Sequence, residues 1–325
     1  MERQTTSDGT LIHTFETGEE PRYMRHDPRD DRFAFSFPVR PRGTYIAILK
    51  PDGGGESLRE TQRLENMDRP LTFLSDGRLV ALGAWPEEKR VGSMIFAESG
   101  ELLETIDTSH MTTDATQLPD GSVAFLDHVV KVWHAGALRD FERKTDDSPV
   151  SIHASPDGQY IVTVNAETYL RVWDVAKGKQ LTRITTSKYT PVRSCFSPDG
   201  SSLVHGAHDD ADAKSPMKIV LHDVNKKWPV RESLSLPSAA RVTNIGFSAD
   251  GSRMWVVQQQ NSDSASTLSL WDRDQQCVQV IEQPVDDDKL QIRDVALRAD
   301  GRRAYVLLAS WDQAVRARFV SFPVA

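Results

Sequence analysis

Histidines, cysteines and grouped carboxylates are the raw material of metal sites and nucleophilic centres, and in this chain they are dispersed. The nine histidines, His13, His26, His110, His128, His134, His153, His205, His208 and His222, fall over six or seven separate segments. Only His205 and His208 lie close together, and with Asp209, Asp210 and Asp212 they form the one grouping of metal-ligating types. That run has neither the turn glycine of a calcium loop nor the i, i+4 histidine pair of a helical zinc site, so it reads as a solvated acidic loop. Cys195 and Cys277 stand far apart without C-x-x-C spacing, which points to two reduced, semi-buried thiols and to no disulfide framework or thiolate zinc site. No G-x-S-x-G elbow, Walker loop or dinucleotide fingerprint occurs. The expectation is therefore no catalytic residue, no metal and no cofactor.

Bulk properties narrow the class further. The 325 residues are 38% hydrophobic and 26% charged, with seven Trp and twelve Phe, enough apolar material for a packed core. A formal charge of −8 with a pI near 5.6 argues against a broad nucleic-acid footprint, which needs clustered Lys and Arg. Residues 1–9 are polar, and nowhere do eighteen apolar residues run together, so neither a secretory leader nor a membrane span is expected. A cytoplasmic location follows by default.

The elements that would position any site are set by a repeat. Ser75-Asp76-Gly77, Pro119-Asp120-Gly121, Pro156-Asp157-Gly158, Pro198-Asp199-Gly200, Ala249-Asp250-Gly251 and Ala299-Asp300-Gly301 share one turn signal, with glycines 44, 37, 42, 51 and 50 residues apart. A weaker copy, Pro28-Arg29-Asp30-Asp31, lies one period upstream and makes seven. Asp-Gly favours a tight hairpin, because glycine accepts positive φ and the Asp side chain caps its own backbone. Runs rich in β-branched and aromatic residues flank it, such as Val242 to Phe247 before and Tyr160 to Val164 after. A third strand ends in Leu170-Arg-Val-Trp173-Asp174 or Leu268-Ser-Leu-Trp271-Asp272, altered to Val130-Lys-Val-Trp133-His134 and Ile219-Val-Leu-His222-Asp223. A fourth follows a turn, as in Gly100 to Ile106 and Gly178 to Ile184.

The Ser-Pro-Asp-Gly turn and the terminal Trp-Asp together resemble the WD40-repeat family over nearly the whole chain. The resemblance implies an all-β, seven-bladed β-propeller of four-stranded antiparallel blades. It also implies a structural place for Trp173 and Trp271, whose counterparts in the family hydrogen-bond with a Ser or Thr, a His and another Asp. Blades are expected at about 21–62, 68–107, 113–144, 149–186, 191–235, 241–282 and 290–325. The last supplies only three strands, whereas Asp8 to Phe15 aligns with the fourth-strand segment Ser99 to Ile106. Residues 10–16 should then complete blade seven, closing the ring, removing two open edges and making a chain complete in itself.

Without a catalytic constellation, a propeller offers faces for binding. The loops at Gly206 to Met217 and Gln258 to Thr267 account for the two longest periods, and long loops on one face of a repeat protein often mark its binding side. Arg22, Arg69, Arg193, Arg241 and Arg293 near first-strand starts, with Tyr23, Trp85, Tyr189 and Trp311, should gather on that face. Tyr, Trp and Arg dominate interface energetics. The expected partner is a protein or peptide segment, acidic or phosphorylated, engaged around the channel mouth; Asp146-Asp147, Asp209-Asp210 and Asp286 to Asp288 on the same face would instead attract a basic one. Tyr160-Ile-Val-Thr-Val-Asn165 is similar to the repeats of propeller lactonases but occurs once, leaving a lactonase-type enzyme as one alternative and nucleic-acid binding through the Arg rim as another.

Overall fold

Each Asp-Gly turn reverses the chain between two strands. The computed structural model describes residues 2–5, 8–15, 21, 23–27, 29–38, 44–51, 58–65, 67–85, 90–108, 112–142, 149–165, 169–185, 193–207, 217–236, 240–259, 266–283, 290–310 and 317–324. In all six turns the glycine has φ between 66° and 90°, and the preceding Asp accepts the backbone N–H two residues on, as in Asp157 from Gln159 at 3.0 Å and Asp250 from Ser252 at 2.9 Å. Hydrogen bonds from the Ser197 and Ser201 hydroxyls hold the Asp199 carboxyl below its ordinary value. In the weak first copy Asp31 takes the left-handed position at φ 55°. There Asp27, 1% exposed, is gripped by Arg29 and Arg32 at 2.9 and 2.8 Å. Burial would raise this carboxyl, but the two guanidinium hydrogen bonds hold it below its usual range.

The strands form seven sheets. The N-terminus contributes β1 (Glu2–Thr5) and β2 (Thr10–Thr14). Blade one is β3 (Tyr23–Asp27), β4 (Arg32–Pro38), β5 (Thr44–Pro51) and β6 (Leu58–Glu65); blade two is β7 (Met67–Phe73), β8 (Leu79–Trp85), β9 (Arg90–Phe96) and β10 (Leu102–Ile106). Blade three holds β11 (Asp114–Gln117), β12 (Val123–Leu126), β13 (Val130–His134) and β14 (Ala137–Asp140), and blade four holds β15 (Pro149–Ala154), β16 (Tyr160–Asn165), β17 (Tyr169–Asp174) and β18 (Lys179–Thr185). Blade five follows with β19 (Ser194–Phe196), β20 (Ser202–Ala207), β21 (Lys218–Asp223) and β22 (Val230–Ser235), and blade six with β23 (Arg241–Phe247), β24 (Met254–Gln259), β25 (Ser266–Trp271) and β26 (Cys277–Gln283). Blade seven has β27 (Gln291–Leu297), β28 (Arg303–Ala309) and β29 (Arg318–Pro323), completed by β2.

The closure read from the sequence is present: β2 pairs antiparallel with β29, Thr10 opposite Ser321 and Thr14 opposite Arg318. One strand was not foreseen. β1 runs parallel to β26, Glu2 opposite Gln279 and Thr5 opposite Glu282, and makes blade six five-stranded. The N-terminal segment therefore bridges the outer edges of two adjacent blades.

Seven apolar clusters hold the ring, each shared by neighbouring blades. The closing seam between blades seven and one is the aromatic one: Phe33 packs edge-on to Phe319 and Tyr305 at ring distances of 4.9 and 5.0 Å, and Ile12 and Phe15, each 4% exposed, pack into the same cluster. Among the described residues no helix is long and apolar enough to cross a membrane.

Candidate interaction site in the central channel

A propeller's innermost strands face one another across an axial channel. Here β3, β7, β11, β15, β23 and β27, with Arg193 and Ser194 at the start of β19, line a cavity of about 640 Å³. Strand alternation alone would not put every polar lining residue there. Register shifts at Val242/Asn244 in β23 and at Ile292/Asp294 in β27 supply a bulge just before each of the two residues, and bulges re-aim side chains. Asn244 then donates to Asp294 at 3.0 Å, and Asp294 accepts the Val295 N–H at 2.9 Å.

The charged residues of the lining fall into two groups. Arg25 is the hub of the first: it bonds the Leu71 carbonyl at 2.7 Å, Asp114 at 3.3 Å and approaches Asp294 at 4.0 Å, tying blades one, two, three and seven together. Asp114 also accepts the Ile152 N–H at 3.2 Å from blade four. Enclosure raises the Asp294 carboxyl, against the pull of Arg25. The second group is Arg193, exposed and without an ion pair or hydrogen bond among the described residues, together with Arg293, whose guanidinium burial pulls downward. Three arginines thus face two aspartates across the lining, and Arg25 engages both. The described lining thus carries one more arginine than aspartate, in a chain of net charge −8.

Between the groups stands His153. Burial lowers its pKa to about 4, Arg193 and Arg25 reinforce the shift and Asp114 opposes it. Its Nε2 has no hydrogen-bond partner among the described residues, nor has the Ser194 hydroxyl beside it in the lining. A neutral imidazole and a hydroxyl with unused hydrogen-bonding capacity next to a guanidinium that makes no ion pair or hydrogen bond among the described residues can receive an anionic or polar group from outside.

Of the residues selected from the sequence, Tyr23 (39% exposed), Arg193 and Arg293 come together on this lining. Arg241 is exposed at the first residue of β23 and stands apart from it. Arg69 and Trp85 lie in β7 and β8, but their side chains are outside the described residues, as are Arg22, Tyr189 and Trp311 entirely. The acidic runs at 146–147, 209–210 and 286–288, His208 and most of both long loops also lie outside them. Arg25, Asp114, His153, Asn244 and Asp294 were missed. A signal existed: Asp114, Arg193, Asn244 and Asp294 each stand seven residues before the turn glycine, at 121, 200, 251 and 301.

The Trp-Asp residues are structural. Trp173 donates to the Thr163 hydroxyl across two strands at 3.0 Å, and Trp271 to Ser269 within β25 at 3.0 Å. Among the described residues no three of His, Cys, Asp and Glu are placed to hold a metal ion.

Comparison with known families agrees with this architecture. The family model for the WD domain, G-beta repeat (WD40), matches residues 138–174, which run from β14 through the third strand of blade four and include Pro156-Asp157-Gly158 and Trp173-Asp174. No curated protein matches the chain.

Proposed function

Because the chain is a seven-bladed propeller of WD40 repeats, we propose that it acts as a noncatalytic interaction module whose channel mouth receives a protein segment presenting an acidic or phosphorylated side chain. Propellers of this family generally serve as protein-interaction scaffolds, and fold alone leaves the partner open, so the reading rests on the site. The observation that carries it is the arginine excess of the channel lining, with Arg193 unpaired among the described residues and neutral His153 beside it. Arg193 directly precedes β19 and Arg293 is the third residue of β27, two innermost strands. A guanidinium there forms forked hydrogen bonds with carboxylate or phosphate at little cost in rigid-body strain.

The test uses fluorescent peptides that carry aspartate, phosphoserine or serine at one central position. Anionic peptides should bind, serine peptides should not, and the Arg193→Glu/Arg293→Glu variant should lose binding by at least tenfold with its melting temperature retained. Equal capture by the variant sinks the reading. Affinity should also fall as salt rises from 50 to about 500 mM, since the attraction is screened.

A further inference from the structure

Blade five departs from its neighbours where blade four places its Trp–Thr hydrogen bond. In the register of the blades, Trp173 faces Ile161 and His222 faces Leu203, so His222 occupies the Trp173 position and His205 that of Thr163. Both histidines are buried, at 2% and 5% exposure. Their Nε2 atoms are 3.0 Å apart. The ring planes are within 16° and the centroids 5.1 Å apart, farther than the facing nitrogens, so the imidazoles meet nose to nose.

The other nitrogen of each ring is also committed. His205 Nδ1 lies 2.9 Å from the Gly206 carbonyl, and His222 Nδ1 lies 2.8 Å from the Trp228 carbonyl. The second carbonyl is delivered by a strained turn, Lys227 at φ 68° and Trp228 at φ 71°, two consecutive left-handed residues without glycine. The Trp228 ring anchors that turn edge-on to Tyr160 at 5.1 Å.

Three close contacts need three hydrogens. Carbonyl oxygens bring none, and a neutral imidazole carries one N–H. Two neutral rings therefore supply two hydrogens, and whichever tautomers they adopt, at least one contact is left with two lone pairs facing at hydrogen-bond distance. We propose that His205 and His222 hold one additional proton between their Nε2 atoms, making blade five a proton-binding site built into the core. The shared proton gives a charge-assisted hydrogen bond, stronger than a neutral one, and offsets the cost of burying one positive charge.

Among the described residues the surroundings do not supply another explanation. Ser194 and Phe196 of β19 face the same blade-four side, with Val162, Val164, Leu170 and Val172 opposite. Among the described residues, the titratable groups on the packed elements are Tyr160, Tyr169, Arg171, Asp174, Cys195, Lys218, Arg231, Glu232, and Asp223 with Lys226 and Lys227 at the turn; the Asp223 carboxylate is occupied by the Asn225 and Lys226 amides and the Lys226 ammonium. Burial pushes both rings down, His205 to about 4. For His205 the charge of His222 adds to burial, the direction of a second proton that would set two imidazolium N–H groups against each other; for His222 burial alone pulls down, and the Trp228 carbonyl opposes it. The proposed first proton is held against that burial because a lone pair is aimed at it, and the two steps belong to the pair as a unit.

The linkage has a definite shape. The first proton's folded pKa is raised, so its stabilisation is complete below the unfolded value near 6.5 and is lost as pH rises through the raised value. The second's is depressed, so its contribution is present above that value and is lost as pH falls. The pair's contribution to stability therefore peaks near the ordinary histidine pKa.

Nitrogen-15 NMR of histidine-labelled protein at pH 7 tests this on the unmodified chain: three nitrogen-bound protons on the pair are expected, and two overturn the proposal. Independently, His205→Thr/His222→Trp restores the blade-four pairing. The urea midpoint of the unmodified chain minus that of this variant should pass through a maximum between pH 5 and 8; a difference that only rises with pH overturns it. Should the variant fail to fold, the proton count alone decides.

Discussion

Glycine at the repeat turn is required for its backbone, and the structure separates that requirement from packing. Gly121 and Gly158 occupy equivalent turns at φ 83° and 70°. A Cβ added at Gly121 meets nothing within 4 Å, whereas at Gly158 it meets Pro119 Cδ at 2.9 Å. Gly121→Ala should therefore cost only the left-handed penalty, about 1–2 kcal/mol. Gly158→Ala pays the same penalty and must also displace a proline ring locked in the neighbouring turn, so it should cost roughly 1 kcal/mol more. Urea denaturation of the two variants measures the difference. Identical losses would mean that the turns do not touch in solution.

Strand by strand, the N-terminus tests what an edge is worth. β1 offers the residues Glu2-Arg3-Gln4-Thr5, with no apolar alternation, and its attachment to β26 is a parallel backbone pairing. β2 adds a strand and also places Ile12 and, just beyond it, Phe15 in the closing seam. Deletion of residues 2–5 should lower the melting temperature by only about 2–4 °C, the effect of roughly 1 kcal/mol. Deletion of residues 2–15 removes two buried side chains whose truncation costs about 2–5 kcal/mol each and opens the β29 edge to association. That variant should melt far lower and lose soluble yield; equal melting of the two would refute the division of labour. The same contrast explains what was legible in the sequence. β2 could be found because Leu11, Ile12 and Phe15 repeat the pattern of Leu102, Leu103 and Ile106. β1 could not, since backbone pairing leaves no mark on side-chain pattern. In the site, Arg193 and Arg293 were legible from their place at strand starts, and Asp114 could have been found from its spacing to the turn glycine. Arg25 and His153 were not, because their meeting depends on which blades face one another across the axis. The His205–His222 contact was hidden likewise: the sequence shows His222 as an altered Trp, and only the strand register sets His205 against it.

Across the whole ring, the channel is a single environment to which every blade contributes, and His153 reports on it. No one residue desolvates this imidazole; the enclosing lining does, with Arg193 and Arg25 adding to the effect. Its folded pKa, pushed down to about 4, lies below the unfolded value near 6.5. Between those limits the unfolded chain takes up a proton that the folded chain refuses, so stability is complete above pH 6.5 and falls as the medium is acidified towards 4. At 1.36 kcal/mol per pKa unit the full loss approaches about 3 kcal/mol, reduced by whatever water the channel admits. His153→Gln removes this proton while keeping a neutral polar group on the lining. The stability of the unmodified chain relative to the variant should decline from pH 6.5 to 4.5, read by urea denaturation at each pH, and a flat difference would show that the channel does not desolvate its histidine. An anionic side chain seated beside Arg193 would oppose the shift, because it gives imidazolium an acceptor. With the aspartate peptide in excess, the unmodified chain should lose less stability on acidification than it does alone, while His153→Gln responds to peptide equally at both pH values.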